Sequence, residues 1–324
     1  MNHQKTITRV AGLAAGVLLL TGLVACTNTE TPDGASSDAA GSSESTTPEL
    51  GAGGREAAAA VQEDPEVAKL VPESIRSAGP LKLVTAPTYA PIDFTDDAGN
   101  IIGVEPDFAL ATARKMGLEM ENSKADFNGI IAGLESNRYD ASWAAFSITP
   151  DRTAVVDMVS FMNAGTAVMT KAGGEGDITS EEDLCGLTIA VQTGTTQALE
   201  VMPSFEQMCK DKGLEAINPM VVPQQDSANQ AISSGRAQAM IADNALVAYY
   251  AQVQPESFAA VPGILVEPAL IGVAMPRIDD SKLAEAYRAA IQSLIEDGTY
   301  QTILDSWSLG DTAVETAEIN PTIG

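Results

Sequence analysis

Beyond residue 64 the chain alternates between two hydrophobic periodicities, and their order predicts an α/β protein. Val67, Leu70, Val71 and Ile75 keep helical spacing, predicting a helix over residues 65–78. A strand is expected at 82–85. Ile92 and Phe94, then Ile101 and Ile102, flank Asp97-Ala98-Gly99-Asn100, the composition of a hairpin turn. Asp107 is positioned to cap a helix with Phe108, Ala109, Thr112, Ala113 and Met116 on its apolar face, ended by Gly117. Phe127, Ile130, Ile131 and Leu134 form another helical stripe, and 140–146 reads as a strand. From residue 187 the alternation restarts. Strands are expected at 187–191, 220–222, 238–242 and 269–275. Helices are expected at 196–202, 204–212, 228–234, 245–252, 283–295 and 300–307. Two βα series separated by a break predict two α/β lobes.

The first 64 residues follow a different pattern. Lys5 and Arg9 precede an almost wholly apolar stretch over 10–25, whose sixteen residues fall short of the ~20 that span a bilayer. This is the pattern of a signal peptide over residues 1–25. It closes on Leu23-Val24-Ala25-Cys26, which resembles the lipobox of bacterial lipoproteins and marks Cys26 for lipidation. Leu50 is the first aliphatic residue larger than alanine after Cys26, so 26–64 is expected to be a disordered tether. At a mean reach of roughly 30–35 Å it would hold the body off the membrane. The chain is therefore expected outside the cytoplasm, lipid-anchored to the outer face of the cell membrane.

Composition narrows the chemistry. A net charge of −26 repels nucleic acid and anionic headgroups. The single histidine is His3, inside the expected signal, so Ser-His-Asp hydrolysis and histidine-based zinc sites fall away. No phosphate-loop or dinucleotide glycine pattern occurs, and no cofactor or metal is expected. A calcium-loop reading at 96–104 fails because Ala98 and Val104 stand where the turn glycine and bidentate glutamate belong. Cys185 and Cys209 lie 24 positions apart. In an exported chain they are expected to pair, worth about 3.5 kcal/mol for such a loop. The alternative is two buried thiols.

Three strand ends carry unusual chemistry. Thr149-Pro150 is a helix start that places Arg152 in the first turn, where an anion against Arg152 and the Ser147 hydroxyl would be favoured. Equally, Arg152 could pair with a surface carboxylate such as Asp157. Gln192-Thr193-Gly194-Thr195-Thr196-Gln197 sets hydroxyls and amides at a second helix start, read either as an anion site or as plain capping. Asp243 ends a strand, where it can accept from an ammonium group or cap the next helix. An anion clamp plus a carboxylate suits a zwitterion, with Tyr89, Phe127 and Trp143 as candidate apolar walls.

These segments, in this order, resemble the family 3 extracellular solute-binding proteins that serve polar amino-acid ABC transporters. The resemblance rests on Thr88-Tyr89-Ala90-Pro91, Gly103, Asp107, Phe127, Tyr139-Asp140-Ala141 and Ser147 through Arg152. In the second half it rests on Asp183 through Leu187, Gln192 through Gln197, Ala242-Asp243, and Asp297-Gly298-Thr299-Tyr300 with Trp307. It covers about residues 65–312. It implies a type II clamshell with two crossovers, lobe 1 at 65–163 plus 270–312, lobe 2 at 164–269, a C-terminal tail at 313–324, and hinges near 163–165 and 268–270. It further implies that Arg152, with Ser147 and Thr196, binds the ligand carboxylate. Asp243 would bind its ammonium group, and Tyr89 and Phe127 would wall its side chain. The protein would be a monomeric, non-enzymatic receptor whose partners are an amino acid and ABC permease subunits. Ala86 stands where basic-amino-acid binders of the family often carry an acid. With Ile92, Trp143 and Ala144-Ala145 also departing from the usual pattern, a neutral, glutamine-like ligand is favoured. A ligand-sensing lipoprotein and a cyclohexadienyl-dehydratase-like enzyme are the alternatives.

Overall fold

The computed structural model describes residues 50–174 and 178–322. The signal peptide, Cys26 and the first part of the expected tether lie outside the described residues. Helices α1 (Ala52–Ala60), α2 (Pro65–Ala68) and α3 (Glu73–Arg76) come first. Strands β1 (Leu81–Thr85), β2 (Thr88–Tyr89), β3 (Asp93–Thr95) and β4 (Ile101–Ile102) lead to α4 (Val104–Lys115). Then follow β5 (Met120–Lys124), α5 (Phe127–Glu135), β6 (Ala141–Ser142), α6 (Pro150–Val155) and β7 (Asp157–Lys171). The middle of the chain holds β8 (Thr188–Gln192), α7 (Met202–Asp211), β9 (Asn218–Val222), α8 (Gln225–Ser233), β10 (Ala239–Asp243) and α9 (Asn244–Val253). It closes with β11 (Phe258–Met275), α10 (Lys282–Glu296) and α11 (Thr299–Ser306).

Strand order is β5-β1-β6-β11-β7-β10-β8-β9. At one end β1 pairs in parallel with β5 and β6, and at the other β8 pairs in parallel with β9 and β10. These two parallel groups are the sheets of lobe 1 and lobe 2. Between them run β7 and β11, paired antiparallel, with 15 and 18 residues. Each crosses from one lobe to the other, so the protein is a two-lobed α/β clamshell with two crossovers. The register of β11 slips between Val266 and Ala269, next to Ala164–Thr166 of β7.

The sequence pattern misses β7 and the first half of β11. Thirteen of the fifteen β7 positions are buried or half-buried, so the strand has no solvent face and no alternation to read. The expected 65–78 helix is two short ones. Asp64 caps the first, accepting from the Glu66 and Val67 amides, and Pro72 separates it from the second. Asp107 is not a cap. It lies one turn inside α4, which starts after Gly103, and it accepts the Trp307 indole N–H at 2.7 Å. The expected strand at 140–146 shrinks to Ala141–Ser142, because Ala145 takes a positive φ of 52°.

The N-terminal end of the body is more ordered than expected. The tether expectation is corrected for residues 51–64: α1 docks on α4 and α11. It has little apolar bulk, but small residues let its backbone come close. A Cβ on Gly54 would lie 2.3 Å from the Ser306 hydroxyl. The Arg55 guanidinium lies 5.7 Å from the centre of the Trp307 ring, which is 2% exposed. Deleting residues 50–60 should uncover this surface. The expected cost is about 2–3 kcal/mol, a loss of roughly 4–12 °C in Tm with ligand affinity unchanged; scanning calorimetry of the two chains is the check. The described part of the C-terminal tail, 313–322, packs along β7. Ile319 pairs with Val159, and Asn320 bonds Met158 and Asp157.

Lobe 1 packs around Phe108, Trp143, Phe161 and Tyr287. Lobe 2 packs around Leu184, Val191, Phe205 and Cys209, and Cys209 is disulfide-bonded to Cys185. The alternative of two free thiols is thereby set aside.

Candidate functional site

The site forms where the two lobes meet. Thr149 caps α6, accepting the Arg152 amide at 3.3 Å, with Pro150 as the first helical residue. That cap turns Arg152 toward lobe 2 rather than toward Asp157, whose carboxylate instead pairs with Arg277 at 3.2 Å. Arg152 Nη1 donates to the Ser147 carbonyl at 2.7 Å, and Nη2 crosses to the Gly194 carbonyl at 3.0 Å. The guanidinium carbon lies 5.0 Å from the Phe146 ring centre and 5.8 Å from that of Phe127, the two rings stacking at 4.6 Å. Burial lowers the Arg152 pKa to about 10, opposed by Asp243 and Glu200. The positive φ of Gly194, 78°, lets the loop after β8 press against Asn128 of α5, where a Cβ would sit 2.6 Å from the amide oxygen.

Asp243 ends β10. It is the residue before α9, yet its side chain makes no capping bond. The carboxylate turns into the cleft instead. It accepts from the Tyr89 hydroxyl at 3.0 Å and from Gln197 Nε2 at 2.8 Å. Its own amide donates back to Tyr89 Oη at 2.9 Å. Burial pushes Asp243 up to about 6, against the lowering pull of Tyr89, Gln197 and Arg152. Burial, then the Asp243 charge, holds the Tyr89 phenol well above its usual range. Ser147 and Thr196 face each other across the lobes with hydroxyls 3.1 Å apart.

All six expected site residues, Tyr89, Phe127, Ser147, Arg152, Thr196 and Asp243, line one small cavity of about 10 Å³. A larger space of about 490 Å³ shares Ser147, Thr196, Gln197 and Asp243 and runs toward β7 and β11. A third, of about 450 Å³, opens beside Phe127 and is lined by Ala86, Thr88, Lys124, Asp126, Gln192 and Gln224. Trp143 is not part of the site. It is 1% exposed and packs on Phe108 and Phe161 in the lobe 1 core. Three further residues line the cavity that the sequence did not single out, Ala145, Thr195 and Gln197. Gln197 was visible only as the end of a motif, and nothing local indicates that its amide reaches Asp243. Ala145 lines the cavity through a backbone turn that its residue type does not signal.

Chemically the site offers a cation on one lobe and a carboxylate on the other, with hydroxyls between them. Among the described residues no cluster suits a metal ion, and no helix is long and apolar enough to cross a membrane. Two α/β lobes with Arg152 on one and Asp243 on the other, lining a shared cavity, give the class of the fold. The chain belongs to the bacterial extracellular solute-binding proteins, family 3, matched over residues 81–310. It is 32% identical over 256 residues to the arginine-binding protein ArgT of Corynebacterium glutamicum, covering 79% of this chain and 83% of that protein. It is 26% identical over 234 residues to the L-cystine-binding protein TcyJ of Escherichia coli, covering 72% and 84%. An ancestral arginine-binding protein bound to arginine superposes with a TM-score of 0.63 at 31% identity, covering 71% of this chain and 98% of its own. An ancestral arginine-binding protein bound to glutamine gives a TM-score of 0.63 at 30% identity, covering 71% and 98%.

Proposed function

We propose that this protein is the substrate-binding component of an ABC importer and captures a free amino acid outside the cell by lobe closure. One observation carries the reading: Arg152 on lobe 1 and Asp243 on lobe 2 line the same cavity from opposite sides. A zwitterion bridging them has its carboxylate on Arg152, Ser147 and Thr196 and its ammonium group on Asp243. Its contacts to both lobes supply the differential affinity that favours the closed form. The register slip at Val266/Ala269, beside residues 163–165, supports a hinge there. Lobe boundaries near 163/164 and 269/270 belong to the same proposal. A lipid anchor on Cys26 and a monomeric, non-catalytic body complete the proposal.

The ligand's side chain is neutral and polar, glutamine-like. The space beside Phe127 supports this, since Ala86, Thr88, Gln192 and Gln224 offer amides and a hydroxyl. A cationic side chain is the second reading, favoured by Asp126 in the same space and by the similarity to ArgT. Thermal unfolding of the purified chain with each amino acid in turn separates them. Ligand at 100–1,000 times its Kd adds about 2.7–4.1 kcal/mol, a shift of roughly 5–16 °C. A response to glutamine but not arginine supports the first reading, and the reverse supports the second. No response to any amino acid would count against capture, and turnover of prephenate would favour the dehydratase alternative.

A further inference from the structure

Behind the clamp, two acidic side chains are sealed inside lobe 1 without a cation. Asp93, on β3, is 1% exposed and accepts the Thr85 hydroxyl. Glu105, in the first turn of α4, is 0% exposed. Both of its oxygens accept one N–H, that of Ala145, at 2.9 and 3.0 Å. Among the described residues neither carboxyl belongs to an ion pair. The charged or titratable groups facing Glu105 are Asp93 from the β2–β3–β4 ribbon and Asp243 from lobe 2. Tyr89 and Arg152 stand beyond them, around Asp243. Two residues along α4, Asp107 is taken up by Trp307 and the field of Arg55.

Ala145 holds a positive φ of 52°, a conformation unfavourable for a residue with a Cβ. Its N–H is caught by Glu105, so the bend that brings Ser147 and Arg152 to the cleft is tied to this one carboxyl. Burial, then the Glu105 charge, holds the Asp93 carboxyl well above the usual carboxylate range. With the Asp243 charge facing it and a single N–H donor, a buried Glu105 carboxylate is costly, and the neutral acid is the stable form. Burial, then the Asp243 charge, raises Glu105 to about 8.

We propose that Glu105 is a protonated positioning residue that gives up its proton when a ligand's ammonium group settles on Asp243. The proposal rests on the amino-acid capture reading above. An ammonium group on Asp243 cancels the negative charge that acts on Glu105 in a poorly screened interior, so the Glu105 carboxylate becomes less unfavourable. The O–H bond ionises, the proton passes to the buffer, and the carboxylate stays on the Ala145 N–H. The free protein then holds more protons than the complex, so raising the pH through about 8 favours binding.

Calorimetry of the full chain at pH 8, in two buffers of different ionisation enthalpy, counts the protons. The probe is L-glutamine or L-arginine, whichever the thermal panel selects. The native chain should release a measurable fraction of a proton per ligand. Glu105→Gln keeps the shape and the acceptor but cannot ionise; it should bind within a few-fold and lose most of that release. Equal release from both chains, or loss of binding in Glu105→Gln, would overturn the proposal.

A second measurement needs no ligand. A raised native pKa means that Glu105 contributes stability below the usual glutamate range, and that this contribution is lost as pH rises through about 8. The Tm of Glu105→Gln relative to native should therefore climb by several degrees between pH 5 and pH 8. An unchanged difference would overturn the buried-acid assignment even if no amino acid binds, whereas a clean climb without any ligand response would isolate the failure to the capture reading.

Discussion

Arg152→Ala is expected to remove tight ligand binding while leaving the body folded. In the proposed clamp the guanidinium is the cationic arm, and a carboxylate left in a closed cleft without its charged partner costs about 2–5 kcal/mol, roughly 30- to 5,000-fold in Kd. Stability should move much less. In the protein alone Arg152 donates to two carbonyls, Ser147 and Gly194, and forms no ion pair among the described residues. Burial already lowers its pKa to about 10, a sign that the fold holds this charge at a cost. Truncation therefore relieves one penalty while removing two hydrogen bonds, and Tm is expected to stay within a few degrees. Arg152→Lys keeps the charge but not the planar fork, so it should fall between native and alanine. Calorimetric titration with the ligand from the thermal panel, alongside a melt of each variant, is the check. An alanine variant that binds as tightly as native would remove Arg152 from the clamp.

The second large effect lies in lobe 2. Breaking the Cys185–Cys209 bond should cost about 3.5 kcal/mol, because the bridge closes a loop across a separation of 24 residues and restricts the unfolded chain. That corresponds to roughly 7–14 °C in Tm. The bond joins the start of β8's segment to α7, on the side of lobe 2 away from the clamp, so affinity measured well below the melting range should hold. Reduction and a Cys185→Ala/Cys209→Ala variant separate the contributions. Reduction leaves two thiols in place, whereas the variant also removes the sulfur of Cys209, which is fully buried, and should lose somewhat more. A reduced protein melting at the native temperature would show that the bridge carries no stability.

Much of this protein is local in origin, and those parts are legible along the chain. Thr149-Pro150 sets a cap and a first helical residue by rules that act within one turn, so the place of Arg152 follows from its neighbours. The stripe Phe127, Ile130 and Leu134 is buried as its spacing requires. The hairpin around Asp97–Asn100 forms between β3 and β4 as its composition indicates. The two α/β lobes follow from the order of such pieces, and the clamshell class from the resemblance to the family 3 solute-binding proteins.

Other features depend on residues far apart in sequence, and no local rule reaches them. β7 is buried on both faces, which erases the alternation that would mark it. α1 is held by close backbone approach to Ser306 and Asp107 rather than by apolar bulk, so its alanine-rich sequence looks unable to order itself. Asp243 could have capped α9; the Tyr89 hydroxyl, 154 residues away, and Gln197 draw it into the cleft instead. Glu105 and Ala145 meet across 40 residues, a pairing that exists only because α4 packs under the bend before Ser147. Capping, turn and stripe energies act over a few residues and are written in the sequence alone. Which way a buried polar side chain points depends on the partner that satisfies it, and only the packed lobes supply that partner.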